Sequence, residues 1–147
     1  MSGVERIVVD ASVVVKWFVQ EEGSEEALVI RRKYVQGEAE IIAPELLLFE
    51  TLNALRYKGL FTEPEIKRIA ESLDAYAFDL HSLRGEYAAQ AIEVAFENNI
   101  TIYDSSYVSL AVREGGQMYT GDQELIQKLQ EPYLRAVKNI RAVSRAA

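Results

Sequence analysis

Cysteine is absent from the 147 residues, proline occurs three times, and histidine and tryptophan once each. Without thiols there is no disulfide and no thiolate metal site, so any metal must be held by oxygen or by the single His81. No apolar run is long enough to span a bilayer. The chain opens with Glu5 and Arg6 and runs straight into Ile7-Val8-Val9, which reads as a core strand and not as a signal peptide. A cytoplasmic protein without membrane contact is expected. The loops GxxxxGK[ST] and GxGxxG are missing, which leaves nucleotide-cofactor binding unsupported. Linkers, repeats and low-complexity stretches are missing too. One domain over residues 1–147 is expected, with a core over about 6–130 and a basic C-terminal segment over 131–147.

Positive charge is scarce. Sixteen basic residues face 23 acidic ones, for a net charge of −7. A basic footprint, the usual mark of a nucleic-acid binder, is therefore not evident. The imbalance is uneven: from Glu131 onward Arg135, Lys138, Arg141 and Arg145 face one acid, a local balance of +3 on an acidic body. Such a tail suits a polyanion or protein partner, and equally suits a solvated segment.

What is plentiful is apolar sequence, 49% of the chain, enough for a real core. Strand and helix signals alternate throughout, which predicts an α/β domain with a largely parallel sheet. Strands are expected at about Arg6 to Asp10, Ile41 to Ala43, Ala77 to Leu80, Ile100 to Ile102 and Gln117 to Thr120. Helices are expected at Ser12 to Val19, from a Ser24 cap to Gly37, and from Glu45 to Lys58. Further helices are expected from Thr62 to Asp74, Arg84 to Glu97, Asp104 to Arg113 and Asp122 to Gln130. Thr62-Glu63-Pro64-Glu65 has the form of a capping box. The aromatics Trp17, Phe18, Phe61, Tyr76 and Phe78 are read as core, with a dimer interface as the other use.

Within this pattern three aspartates share a position. Asp10, Asp104 and Asp122 each follow an expected strand and precede a helix. Ligands of open parallel sheets bind beyond the carboxyl ends of the strands, so neighbouring strands would bring these acids together. Glu50 sits on a helix among Leu47, Leu48, Thr51, Leu52 and Leu55, where an acid is expensive to bury unless a metal ion or a base such as Lys16 neutralises it. Several carboxylates together suit magnesium or manganese, and metal-assisted hydrolysis needs no side-chain nucleophile. Each acid also has an ordinary reading. Asp104 and Asp122 suit helix caps, Asp10 suits a turn, and Glu50 suits the surface.

The blocks that carry these acids resemble a known family. Ile7-Val8-Val9-Asp10-Ala11-Ser12, Phe49-Glu50-Thr51-Leu52-Asn53, Ile102-Tyr103-Asp104-Ser105-Ser106-Tyr107-Val108-Ser109-Leu110-Ala111 and Tyr119-Thr120-Gly121-Asp122 resemble, in order and separation, the blocks of PIN domains. In size and motif style the chain is similar to the VapC toxins of toxin–antitoxin systems. The resemblance implies a Rossmann-like three-layer fold with a mostly parallel central sheet flanked by helices. It implies a divalent-metal-dependent endoribonuclease that cleaves RNA phosphodiesters with a metal-activated water, using Mg2+ or Mn2+. Asp10, Glu50, Asp104 and Asp122 would be the catalytic, metal-binding acids. Ser12, Asn53 and Thr120 would orient the ligands or bound water. A small antitoxin protein and a homodimer are the implied partners beside RNA. Where many family members place another acid after the last aspartate, this chain has Gln123, which bears on a second metal site. Lys16, Arg56, Arg113 and Lys128 are the candidate phosphate contacts. Two other functions remain open: an inactive PIN-like module that binds RNA or a partner, and a structure-specific DNA nuclease using the same site. A phosphatase or receiver domain would carry a lysine in a late block, and here that place holds Thr120-Gly121-Asp122.

Overall fold

β-branched and apolar residues make Ile7, Val8 and Val9 the centre of the molecule: in the computed structural model, which describes residues 3–145, they form the buried part of strand β1 (Glu5–Val9). A strand buried on both faces shows a continuous apolar run, and β2 (Ala39–Pro44) repeats the pattern with Ile41, Ile42 and Ala43. β3 (Asp79–His81), β4 (Gln117–Thr120) and β5 (Val137–Asn139) are shorter. All pairings are parallel, in the order β3-β2-β1-β4-β5. The chain moves outward from β1 to β2 and β3, then returns to lay β4 on the opposite side of β1. The strand order thus reverses between β1 and β4, the place where doubly wound sheets open a crevice.

Helices complete the three layers. They are α1 (Ala11–Val14), α2 (Ser24–Val35), α3 (Leu46–Lys58), α4 (Glu63–Tyr76), α5 (Gly85–Asn98), α6 (Ile102–Arg113) and α7 (Gln123–Lys128), with short 3-10 turns at Val15–Trp17, Tyr133–Ala136 and Ile140–Ala142. The expected capping box of α4 is formed in both directions: Thr62 N donates to Glu65 Oε1 at 2.8 Å, and Glu65 N to Thr62 Oγ1 at 3.4 Å. Gly59 ends α3 in the left-handed conformation that glycine adopts without a Cβ penalty. At the start of α2 the cap residue is Gly23, not Ser24. Ser24 Oγ instead receives Glu21 N and donates to Val19 O, both at 2.9 Å, and so closes the turn before the helix.

Two expectations about strands are corrected. Ile100 to Ile102 is not a strand. Ile100 N is taken by Ala95 O at 3.0 Å in the closing turn of α5, and Thr101 Oγ1 already caps α6 by accepting from Asp104 N at 3.0 Å. Caps on both sides leave no free ladder of backbone groups for a sheet. The fifth strand comes instead from 137–139, inside the basic tail, and pairs Met118, Tyr119 and Thr120 with Val137, Lys138 and Asn139. The tail is therefore woven into the sheet edge. Beyond it, Arg141 pairs with Glu22 and Glu26, and Arg145 with Glu25 and Glu26, at the start of α2.

Of the five aromatics read as core, Phe78 is buried, and Trp17, Phe18, Phe61 and Tyr76 are partly buried against the core. Trp17, Tyr34, Tyr76 and Phe78 form one ring cluster, with Tyr76 stacked on Phe78 at 5.5 Å and Trp17 edge-on to Tyr76 at 5.3 Å. Among the described residues no helix is long and apolar enough to cross a membrane.

A candidate acidic site at the carboxyl end of the sheet

Asp10 follows β1 directly, and Asp122 follows β4 after Gly121. Because β1 and β4 are neighbours, with Val9 opposite Tyr119, the residues that follow them lie at the same edge, where the strand order reverses. Asp10 is held from both sides. Its Oδ1 accepts from Ser12 N at 3.1 Å and from the Ser12 hydroxyl, and its Oδ2 accepts from the Thr120 hydroxyl. Thr120 Oγ1 in turn accepts from Asp122 N at 3.0 Å, and Ser12 Oγ accepts from Gly121 N at 2.8 Å. The two strand ends are thus laced together by two hydroxyls. Gly121 leaves the room for this: a Cβ there would come within 3.3 Å of Ser12 Oγ and 3.5 Å of the Lys16 side chain.

Asp104 and Glu50 arrive on helices. Asp104 is the third residue of α6 and is not its cap, a role that Thr101 fills. Its proximity to the strand-end acids comes from where α6 lies over β1, β2 and β4. Glu50 is half-buried on α3, and Tyr107 of α6 donates its phenolic hydrogen to Glu50 Oε1 at 2.6 Å. Asp122 does serve as a cap: its Oδ1 accepts from Leu125 N at 3.1 Å at the start of α7.

Three of the acids are shifted upward, each in part by a neighbouring acid. Burial raises the Asp10 carboxyl to about 6; its Ser12 and Thr120 hydrogen bonds oppose the rise, and the charges of Glu50 and Asp104 add to it. Glu50 is also raised, by burial first and by the Asp104 charge, against the Tyr107 hydrogen bond. Asp104 is raised by burial and by Asp122, with Lys128 partly offsetting them. The basic residue named for Glu50 in the sequence is engaged elsewhere: Lys16 pairs with Glu21 at 3.4 Å, and Glu21 also meets Lys58 at 3.1 Å. Arg113 is likewise taken up by Gln90 and Glu86.

Oxygen donors of this kind, with no ion pair to a basic side chain among the described residues, have the chemistry that hard divalent cations require. The side chains are not drawn into a closed set, however. Among the described residues no three histidine or acidic groups converge tightly enough to hold one ion. Asn53, expected beside the acids, is exposed on α3. It lines a cavity of about 820 Å³ with Phe49, Glu50, Leu52, Arg56 and Phe61. The residue that sequence reasoning passed over is Tyr107. Its spacing of three from Asp104 on one helix was the available signal.

A model of the family described as PIN domain matches residues 7–130. The chain belongs to the PIN domain family. It is 33% identical over 128 residues to ribonuclease VapC3 of Pyrobaculum aerophilum, a match covering 84% of this chain and 94% of that protein. Among solved structures, a toxin–antitoxin complex from Klebsiella pneumoniae is similar with a TM-score of 0.63 at 12% identity, covering 91% of this chain and 97% of that one. VapC20 of Mycobacterium tuberculosis, described as a toxin that cleaves the sarcin–ricin loop, is similar with a TM-score of 0.59 at 15% identity, covering 88% and 94%. These last two likenesses speak to the PIN fold. The PIN match takes in all four acids, Ser12, Asn53 and Thr120.

Proposed function

We propose that this PIN-domain protein is an endoribonuclease of the VapC type, dependent on Mg2+ or Mn2+, and the toxin of a toxin–antitoxin pair. The observation that carries this reading is the group of mutually repelling acids at the reversal point of the sheet, in a chain one-third identical to a ribonuclease over most of its length. Asp10, Glu50, Asp104 and Asp122 are the residues that would hold the metal. A bound divalent ion supplies charge neutralisation at the scissile phosphate and lowers the pKa of a water.

The chain's own groups have distinct tasks in this reading. Ser12 and Thr120 hold Asp10 in one orientation, so that the carboxylate does not have to be ordered when substrate arrives. Asn53 lies beside Glu50 on the open cavity and can reach substrate or water there. Arg56 on the same cavity and Lys128 near Asp104 are basic groups placed to meet a phosphate. With an acidic body, RNA binding rests on these local cations and on the metal, and so weakens with salt.

A small antitoxin protein is the expected partner. Its support is the likeness to a toxin–antitoxin complex and the apolar surface beside the site, where Phe49 and Tyr103 are 76% and 63% exposed. That surface also suits a homodimer, and the cytoplasm is the expected compartment.

The test is cleavage of labelled single-stranded RNA and structured tRNA, with single-stranded DNA as control, in magnesium, manganese or EDTA. Cleavage of RNA alone, abolished by EDTA, is expected. In Asp10→Asn and Asp104→Asn the rate should fall by about 100-fold or more, at or beyond the upper end of what losing a supporting group costs a metal site. Cleavage of DNA would replace the substrate class. No cleavage together with no divalent-ion binding in calorimetry would leave a PIN-like binding module.

A further inference from the structure

Tyr107 is among the largest fully buried side chains of the molecule, yet its hydroxyl reaches the acidic site. The phenol has one hydrogen, and it is given to Glu50 Oε1 at 2.6 Å. Among the described residues no hydrogen bond is made to Glu50 Oε2. The ring is not free to adjust. It is packed in the core, and the next residue back, Ser106, is fixed by Tyr87, whose hydroxyl donates to Ser106 O at 2.7 Å. Tyr107 also sits one helical turn from Asp104 on α6. One rigid helix therefore carries one of the site acids and the donor that orients another.

We infer that Tyr107 is a positioning residue: its hydroxyl holds Glu50 Oε1 and so fixes the orientation in which Glu50 meets a divalent ion. The inference rests on the metal-dependent reading above. Glutamate has three rotatable side-chain bonds and two equivalent oxygens, so an unpinned Glu50 could turn to solvent or meet an ion through both oxygens. The hydrogen bond from the buried phenol restrains that turning. Because the donor is neutral and spends its only hydrogen on Oε1, it fixes the carboxylate without adding a positive charge that would compete with the ion.

The experiment titrates Mn2+ into wild type, Tyr107→Phe, Glu50→Gln and the double variant, and reads the free-ion signal by electron paramagnetic resonance. Tyr107→Phe keeps the ring and removes only the hydroxyl. About 10-fold weaker Mn2+ binding is expected, the scale on which groups supporting a metal ligand act. Cleavage by this variant should recover at high Mn2+, so that the activating concentration rises while kcat returns. The double variant should bind no more weakly than Glu50→Gln alone. Unchanged Mn2+ affinity in folded Tyr107→Phe, or a further loss in the double variant, would overturn the inference. No binding by wild type would sink the metal reading and this one with it. Binding by wild type that is unaffected in Glu50→Gln would remove Glu50 from the site and overturn the inference alone. Should Tyr107→Phe not fold, wild-type protein labelled with 13C at the tyrosine ζ carbon gives the answer by NMR. The Tyr107 resonance should move when Mg2+ is added, and a resonance that stays put counts against the role.

Discussion

Two groups of acids on this molecule behave in opposite ways. At the start of α2, Glu22, Glu25 and Glu26 face Arg141 and Arg145 of the C-terminal tail. Burial alone would push Glu26 upward, but its own backbone amide and the two arginines overrule it, and its carboxyl sits below the ordinary range. At the end of the sheet Asp10, Glu50 and Asp104 are partly buried near one another, and all three sit above it. The first cluster is balanced inside the protein and holds the fold together. The second has no ion pair to a basic side chain among the described residues, and the proposed metal would balance it. Acid-rich composition does not separate these cases; the location of the neutralising charge does.

The largest test of this contrast sets activity against stability at one residue. Asp10→Asn is expected to lose about 100-fold or more in RNA cleavage. In metal-free protein at neutral pH the same change should raise unfolding free energy by about 1–2 kcal/mol, from a shift worth about 1.4 kcal/mol per unit less what partial exposure and relaxation return. The sign follows from linkage. The folded carboxyl is raised from 3.8 to about 6, so the folded state binds more protons across that interval. The contribution of Asp10 is therefore most favourable in acid and declines as pH rises through the window. Urea unfolding in EDTA on both sides of pH 5 measures it, and equal wild-type and variant slopes would remove the argument.

Next comes the balanced cluster. Arg141→Ala leaves Glu26, 6% exposed at its side chain, with only the more distant Arg145 at 3.7 Å. A loss of about 1–3 kcal/mol is expected, the range for hydrogen bonds to charged groups, with cleavage by the folded protein unchanged. Here the pH dependence has the opposite sign. The Glu26 carboxyl is lowered on folding, so its stabilisation is present above the unfolded pKa and disappears as pH falls through the folded one. Thermal denaturation of Arg141→Ala against wild type should converge in acid. The smallest effect belongs to the exposed pair Lys67–Glu63 on α4, at 2.9 Å. Lys67→Ala should change stability by less than about 0.5 kcal/mol.

The same contrast separates what was legible in the chain from what was not. β1, β2 and the capped ends of α3 and α4 follow from local signals: continuous β-branched runs, a two-way capping box and a terminal glycine. Asp10 and Asp122 were placed by strand logic, and that logic holds because β1 and β4 pair. Asp104 was reached by a wrong route. The segment before it is a capped turn between two helices, and its short β-prone run of Ile100, Thr101 and Ile102 could not by itself be told from a strand. Asn53 sits on the expected face of α3 but opens to the cavity, without a hydrogen bond to the acids among the described residues. Tyr107 stands inside the Ile102 to Ala111 block, and nothing local marks its hydroxyl as the partner of Glu50.

By itself the sequence determined the α/β alternation, the buried strands and the motif blocks, because each depends on periodicity or on contacts within a few residues. Tertiary structure alone decided which strand supplies the sheet edge, which arginines neutralise which glutamates, and which acids are left unbalanced. Those outcomes depend on pairs separated by tens of residues or more, such as Arg141 with Glu26, Thr120 with Asp10 and Tyr107 with Glu50. A charge carries no mark in the sequence of the partner that will meet it, and only the folded chain brings the two within reach.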